Sequence, residues 1–231
     1  MPTAVLIDGG FFLKRFPSCY PQKDRNDPKV VAKTVFEMAL THLTDKDDPD
    51  GRRSLYRIFV YDCAPLTKKA ERPITRTPID FSKTTTAKFR LEFHDQLKSL
   101  RKVALRLGHL SERSDWILKP ERLKAVLARE VMLEQLTDED FIYDARQKGV
   151  DMKIGLDIAS LAFKRQVDQI VLVAGDADFV PAAKLARREG IDFVLDPMWS
   201  QVSLQLHEHV DGLRSTCPRP TPAQPGRRAQ F

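Results

Sequence analysis

The chain has 231 residues, 42% of them apolar and 30% charged, with 13 Phe against 4 Tyr and 2 Trp. That is enough apolar material for one full α/β core, and it excludes a disordered or low-complexity chain. The formal net charge is +6, and the longest apolar runs, such as 170–174, are strand-sized and exclude a membrane-spanning helix.

The first apolar run, 4–7, reads as a buried strand that ends in a turn at Asp8-Gly9-Gly10. Residues 30–43 show a helical period, and 45–53 is a polar loop. Residues 55–61 form a second strand that ends at Asp62. Pro65, Pro73 and Pro78 make 64–82 an irregular excursion, after which 84–100 reads as a basic helix. A third strand is expected at 103–110, and helices at 120–136 and 151–164. A continuous apolar strand at 168–174 leads to a helix at 178–189, closed by Gly190. The last core strand is 191–195, followed by a helical turn at 202–206. Strands that are apolar throughout and alternate with helices imply a mostly parallel sheet with helices on both faces. The expected organisation is one α/β domain over 1–215 and a Pro/Arg-rich disordered tail over 216–231.

Charge is distributed unevenly. The segment 65–102 carries ten Lys/Arg and four acids, a net +6; the tail from Thr216 adds +3, and the remainder is −3. One basic segment beside an acidic remainder suggests an anionic partner held next to a carboxylate site. The N-terminus lacks a basic segment and meets a carboxylate at Asp8, so no signal peptide is expected. Cys19, Cys63 and Cys217 are odd in number and far apart. They fit a reducing compartment, the cytoplasm, better than a disulfide framework or a zinc site. His207 and His209 have no further ligand close in sequence and read as a surface feature.

Three core strands run into aspartate: Asp8, Asp62 and, after one glycine, Asp176, with Asp178 two residues on. In open parallel sheets ligands gather at the carboxyl ends of the strands, where strand order reverses. A single strand-end Asp is ordinarily a turn or a cap. Several together repel unless a cation or a proton compensates. Gly175 offers a tight exit from its strand, and Asp178 a cap for the helix that follows. Asp151 reads as the N-cap of its helix. Asp157 lies about 240° further round that helix, beside the Ile154/Ile158 stripe, where a half-buried carboxylate needs a partner.

Together Asp8-Gly9-Gly10, Lys148-Gly149-Val150-Asp151 with Asp157, and Ala174-Gly175-Asp176-Ala177-Asp178-Phe179-Val180-Pro181 resemble the NYN domain family, a PIN-like nuclease group. The resemblance covers roughly residues 3–210. It implies a Rossmann-like three-layer α/β/α sandwich with an acidic metal site that hydrolyses RNA, a metal-dependent endoribonuclease. Carried over by position, Asp8, Asp151, Asp176 and Asp178 are the catalytic and metal-binding residues, with Asp157 and Asp62 behind them. Many members have Asn three residues after the first Asp; here that position is Phe11. Aspartate oxygens without His or Cys suit Mg²⁺ or Mn²⁺ rather than Zn²⁺. Lys68, Lys69, Arg72, Arg76, Lys83, Lys88, Arg90 and Lys148 are the expected contacts to the RNA backbone. Phe89 and Phe93, four apart, read as core rather than base-stacking residues.

Competing readings are an inactive RNA-binding or regulatory module of the same fold, which Phe11 favours, and two other enzyme classes. A haloacid-dehalogenase-type phosphatase wants a second Asp where Gly10 stands. A nucleotide-dependent dehydrogenase wants a G-x-G-x-x-G loop that is absent. The RNA substrate, endo- or exonuclease mode, the number of metals and the oligomeric state, a homo-oligomer included, are not fixed by the sequence.

Overall fold

The computed structural model describes residues 2–44, 53–111 and 115–221. Residues 45–52 of the polar loop expected at 45–53, and the tail from 222 onward, lie outside the described residues.

Strand β1 (Pro2–Asp8) passes directly into helix α1 (Gly9–Cys19), with no intervening turn. Asp8 itself is the N-cap, its side chain accepting from the Phe11 amide. The two glycines that read as a turn are the first residues of that helix. A Cβ on Gly9 would come within 2.7 Å of the Tyr61 carbonyl oxygen, so only glycine lets the helix start so close to the neighbouring strand. Helix α2 (Pro28–Thr41) is capped by Asp27, with Pro28 at a position that needs no amide hydrogen. After β2 (Ser54–Cys63), the excursion is not wholly irregular. Strands β3 (Lys69–Glu71) and β4 (Pro78–Asp80) form an antiparallel hairpin that leads to α3 (Thr85–Ser99), capped by Thr84.

Beyond β5 (Val103–Leu110) lie β6 (Trp116–Leu118) and α4 (Pro120–Leu127). The helix expected over 120–136 stops at Leu127, and Arg129 adopts a left-handed φ of 60°. Leu127, Met132 and Leu133 are exposed, so apolar residues at this spacing find no core to hold them in a longer helix. Two short strands follow, β7 (Phe141–Tyr143), paired with β6, and β8 (Gln147–Lys148), paired antiparallel with β5. The chain ends with α5 (Val150–Phe163), β9 (Gln169–Val173), α6 (Val180–Arg188), β10 (Asp192–Asp196), α7 (Leu204–His207) and β11 (Gly212–Leu213).

Seven strands make one sheet in the order β11-β10-β9-β1-β2-β5-β8, parallel except at β8. Alternation along β1 separates two apolar clusters. Ala4 and Leu6 pack with Ile154, Ile158 and Phe179 from the α5–α6 side. Val5 and Ile7 pack with Phe12, Phe16, Val35 and Phe93 from α1, α2 and α3. Phe93 is fully buried there with Phe89 stacked on it, as helical spacing implied. At about 25 cal/mol per Å² of apolar surface, a fully buried Phe or Leu contributes roughly 2–3 kcal/mol.

All three cysteines are free thiols and buried. The start of the expected tail is packed. The Thr216 amide donates to Asp196, and Cys217 belongs to the second cluster.

Candidate active site

From β1 the chain moves outward through β2 and β5, then returns to the other side of β1 as β9 and β10. Strand order therefore reverses between β1 and β9, and the cleft outside their carboxyl ends is where such sheets bind ligands. Asp8 ends β1, and Asp176 stands three residues past the end of β9. The two line one open cleft of about 590 Å³, with Phe11, Lys14, Ser200 and Gln201.

Each aspartate is placed by its local backbone. Asp8 Oδ1 accepts the Phe11 amide at 3.0 Å, which leaves Oδ2 free. Asp176 caps the short 3-10 turn 177–179, accepting the Asp178 amide at 3.1 Å. The cap is therefore Asp176, and Asp178 is the residue whose amide is capped. Asp151 is likewise not an N-cap. Gly149 takes that position with a left-handed φ of 79°, natural only for glycine, and Asp151 sits in the first turn of α5. Gly175 does not need positive φ. A Cβ there would stand 2.5 Å from the Phe11 ring, so its missing side chain makes room for Phe11 against the strand exit.

The structure sorts the carboxylates by their partners. Asp62 is buried, bonded to His94 Nε2 at 2.8 Å and paired with Arg90. Burial pushes its pKa up, but the His94 and Arg90 contacts outweigh that and hold it below the usual range. Asp157 accepts from the Tyr61 hydroxyl at 2.8 Å and pairs with Arg106 at 3.2 Å. Both residues are thus occupied. Asp62 links β2 to α3, and Asp157 links α5 to β2 and β5. Arg90, expected on RNA, is paired with Asp62.

Asp8, Asp151, Asp176 and Asp178 form no salt bridge among the described residues. Asp8 has its pKa raised by burial and, to a smaller extent, by the nearby charge of Asp151. Asp151 is raised by burial and then by Asp176 and Asp178. Asp151 thus feels the charges of Asp176 and Asp178, and Asp8 that of Asp151. Among the described residues no three His, Cys, Asp or Glu side chains stand at the spacing that holds one ion. The donor set is hard oxygen throughout. Mg²⁺ commonly takes only one or two carboxylates and completes its shell with water and substrate phosphate, so the residues fit such an ion by chemistry.

Sequence reading missed Lys14, Arg15, Ser200 and Gln201. Lys14 is exposed in the cleft, whereas Arg15 is tied to the Met198 carbonyl at 2.7 Å. The available signal was the helical spacing of Gly10, Phe11 and Lys14, hidden because Gly9-Gly10 looked like a turn. Asp196 is a further strand-end aspartate, at the end of β10. It is buried against His42 at 2.9 Å and receives the Met198 and Thr216 amides, a structural anchor. Of the expected RNA contacts, Lys68, Lys69, Arg76, Lys83, Lys88 and Lys148 are exposed, and Arg72 is half-buried.

No curated protein matches the chain. A solved structure of a protein of unknown function from Vibrio parahaemolyticus superposes with a TM-score of 0.49 at 17% identity, covering 93% of this chain and 92% of that one. The NYN domain model matches residues 93–208, which include Asp151, Asp157, Asp176 and Asp178 and leave Asp8 outside. With half of its length matched, the chain belongs to the NYN domain family, a group of PIN-like nuclease type.

Proposed function

We propose that the protein is a metal-dependent ribonuclease with a Rossmann-like three-layer α/β/α sandwich fold, using Asp8, Asp151, Asp176 and Asp178 to hold Mg²⁺ or Mn²⁺. The observation that carries this reading is the contrast at the carboxyl edge. Asp62 and Asp157 have cationic partners, and these four carboxylates have none among the described residues. Bound there, the ion supplies a polarised scissile phosphate and a water of lowered pKa.

The chain's own residues do the rest. Asp8 is fixed by the Phe11 amide and offers Oδ2. Lys14 meets the phosphate backbone in the same cleft. Phe11, packed on Gly175, forms an apolar wall of the cleft. In-line attack leaves a 5′-phosphate and a 3′-hydroxyl. Because the pKa of Asp8 is raised, activity falls on the acid side as that carboxylate takes up its proton. The basic excursion holds the RNA strand, and the free buried thiols suit a cytoplasmic setting.

A second reading, an inactive RNA-binding or regulatory module of the same fold, draws on the lack of a three-carboxylate set among the described residues and on Phe11. Cleavage of labelled single-stranded and hairpin RNA in Mn²⁺, with Asp176→Asn as control, decides between the two. Loss of cleavage in Asp176→Asn supports the nuclease. A wild type that cuts neither RNA with either metal establishes the binding module.

A further inference from the structure

A second concavity, lined by none of the candidate aspartates, lies between the two small hairpins. One wall is the β3–β4 hairpin, with Lys68, Lys69 and Arg76 on a cleft of about 510 Å³; the other is β6–β7, with Trp116 and Tyr143. The walls are fixed to each other. Trp116 Nε1 donates to the Glu71 carbonyl at 2.7 Å. Asp138 accepts the Ile74 amide at 2.9 Å and the Thr75 hydroxyl at 2.5 Å, which pins the hairpin tip. Beside that clamp Arg76 holds a left-handed φ of 57°, a conformation arginine keeps only when its surroundings impose it. Phe81 packs 4.7 Å from Tyr143, and Trp116 meets Tyr143 edge-on at 5.2 Å.

Lys68, Lys69 and Arg76 are exposed and form no salt bridge among the described residues. Glu71 and Asp115 share the lining, so the charge excess is small. Aromatic surface, rather than charge, is then the discriminating feature. Cations that follow a phosphate chain beside ring faces that stack bases are the combination used to hold a single strand. A duplex offers phosphates but keeps its bases stacked inside. Both walls also belong to the active edge of the sheet. The β3–β4 hairpin follows the carboxyl end of β2, and β7 leads through β8 to Gly149 and Asp151.

We propose that this cleft, between the β3–β4 and β6–β7 hairpins, is a stacking subsite for an unpaired base of the RNA that the acidic site acts on. The inference rests on the reading of the protein as one that acts on RNA. Its test is binding of a fluorescent 12-nucleotide single-stranded RNA and of the matching duplex, in EDTA so that nothing is cut. Trp116→Ala should weaken single-strand binding about tenfold, leave its salt slope unchanged and leave duplex binding unchanged. Trp116→Phe should retain most of the affinity. A folded Trp116→Ala protein that binds the single strand as tightly as wild type overturns the proposal, as does an equal loss on both RNAs. Should Trp116→Ala fail to fold, photocrosslinking of 5-iodouracil RNA to the unaltered protein gives the answer. A crosslink at Trp116 or Tyr143 supports the subsite, and crosslinks confined elsewhere overturn it. Cleavage in Mn²⁺ is scored separately. Cutting without dependence on Trp116 refutes the subsite alone, and Trp116-dependent binding without cutting refutes the nuclease alone.

Discussion

Replacing Asp8 separates its electrostatic role from its capping role. Burial and the charge of Asp151 raise its pKa above the ordinary 3.8, so the folded protein holds that proton more tightly than the unfolded chain does. The stability gained from that proton is full below the unfolded value and is lost as pH rises through the folded one. At neutral pH wild type therefore carries an unfavourable charge that Asp8→Asn removes. Each unit of upward shift is worth about 1.4 kcal/mol. For a chain of this size, about 1 kcal/mol moves Tm by about 2–4 °C. Asparagine also keeps the bond to the Phe11 amide, whereas alanine loses the cap at a cost of about 1 kcal/mol. In metal-free buffer at pH 7 the expected order of Tm is Asp8→Asn above wild type, with Asp8→Ala about 2–4 °C below Asp8→Asn. Near pH 3 the advantage of Asp8→Asn should vanish. Millimolar Mn²⁺ should raise the wild-type Tm and have little effect on Asp8→Asn. Calorimetry across pH measures all of this, and an Asp8→Asn protein no more stable than wild type at pH 7, with an undiminished Mn²⁺ response, refutes the reasoning.

Asp151→Asn and Asp176→Asn should abolish RNA cleavage and leave circular dichroism unchanged; Asp178→Asn should do nearly as much, and Asp157→Asn less, since its partners are Tyr61 and Arg106. Arg90→Ala removes the guanidinium partner of the buried Asp62 and should cost about 3 kcal/mol by urea denaturation, without altering the salt dependence of RNA binding. Replacing Lys68, Lys69, Arg72 and Arg76 by Ala should lower the salt slope by about 0.7 for each phosphate no longer neutralised and raise KM more than it lowers kcat; unchanged affinity and slope would place RNA elsewhere. Gly175→Ala puts a methyl group into the Phe11 ring and should destabilise by about 1–3 kcal/mol, with recovery in a Phe11→Leu/Gly175→Ala double variant.

The sheet and its aspartate-lined carboxyl edge were legible because parallel strands buried on both faces are apolar throughout, as 170–174 is, and because aspartates at their ends stand out. What was hidden depends on packing across the chain. Gly9-Gly10 carries the local signature of a turn, and the need for a small residue against the Tyr61 carbonyl is visible only once β1 and β2 are side by side. The residues beyond Leu127 have helical spacing, but spacing does not reveal that no core lies opposite. Asp62, Asp157 and Asp196 look the same in sequence as Asp8 and Asp176. Only the arrival of Arg90, Arg106 and His42 from distant segments sets them apart.

The central place of β1 also has a consequence for folding. Its partner on one side, β2, follows after two helices, but its partner on the other, β9, lies beyond two-thirds of the sequence. Pairings this distant form late, because loop closure precedes any contact that rewards it. A chain emerging during synthesis therefore holds Asp8 at an open strand edge, Val5 to Ile7 unpaired on that side, until β9 docks. The acidic cleft closes in that same step, so no nascent fragment short of Asp176 can assemble it. Until then the bare edge of β1 is the part of the molecule most exposed to pairing with another chain.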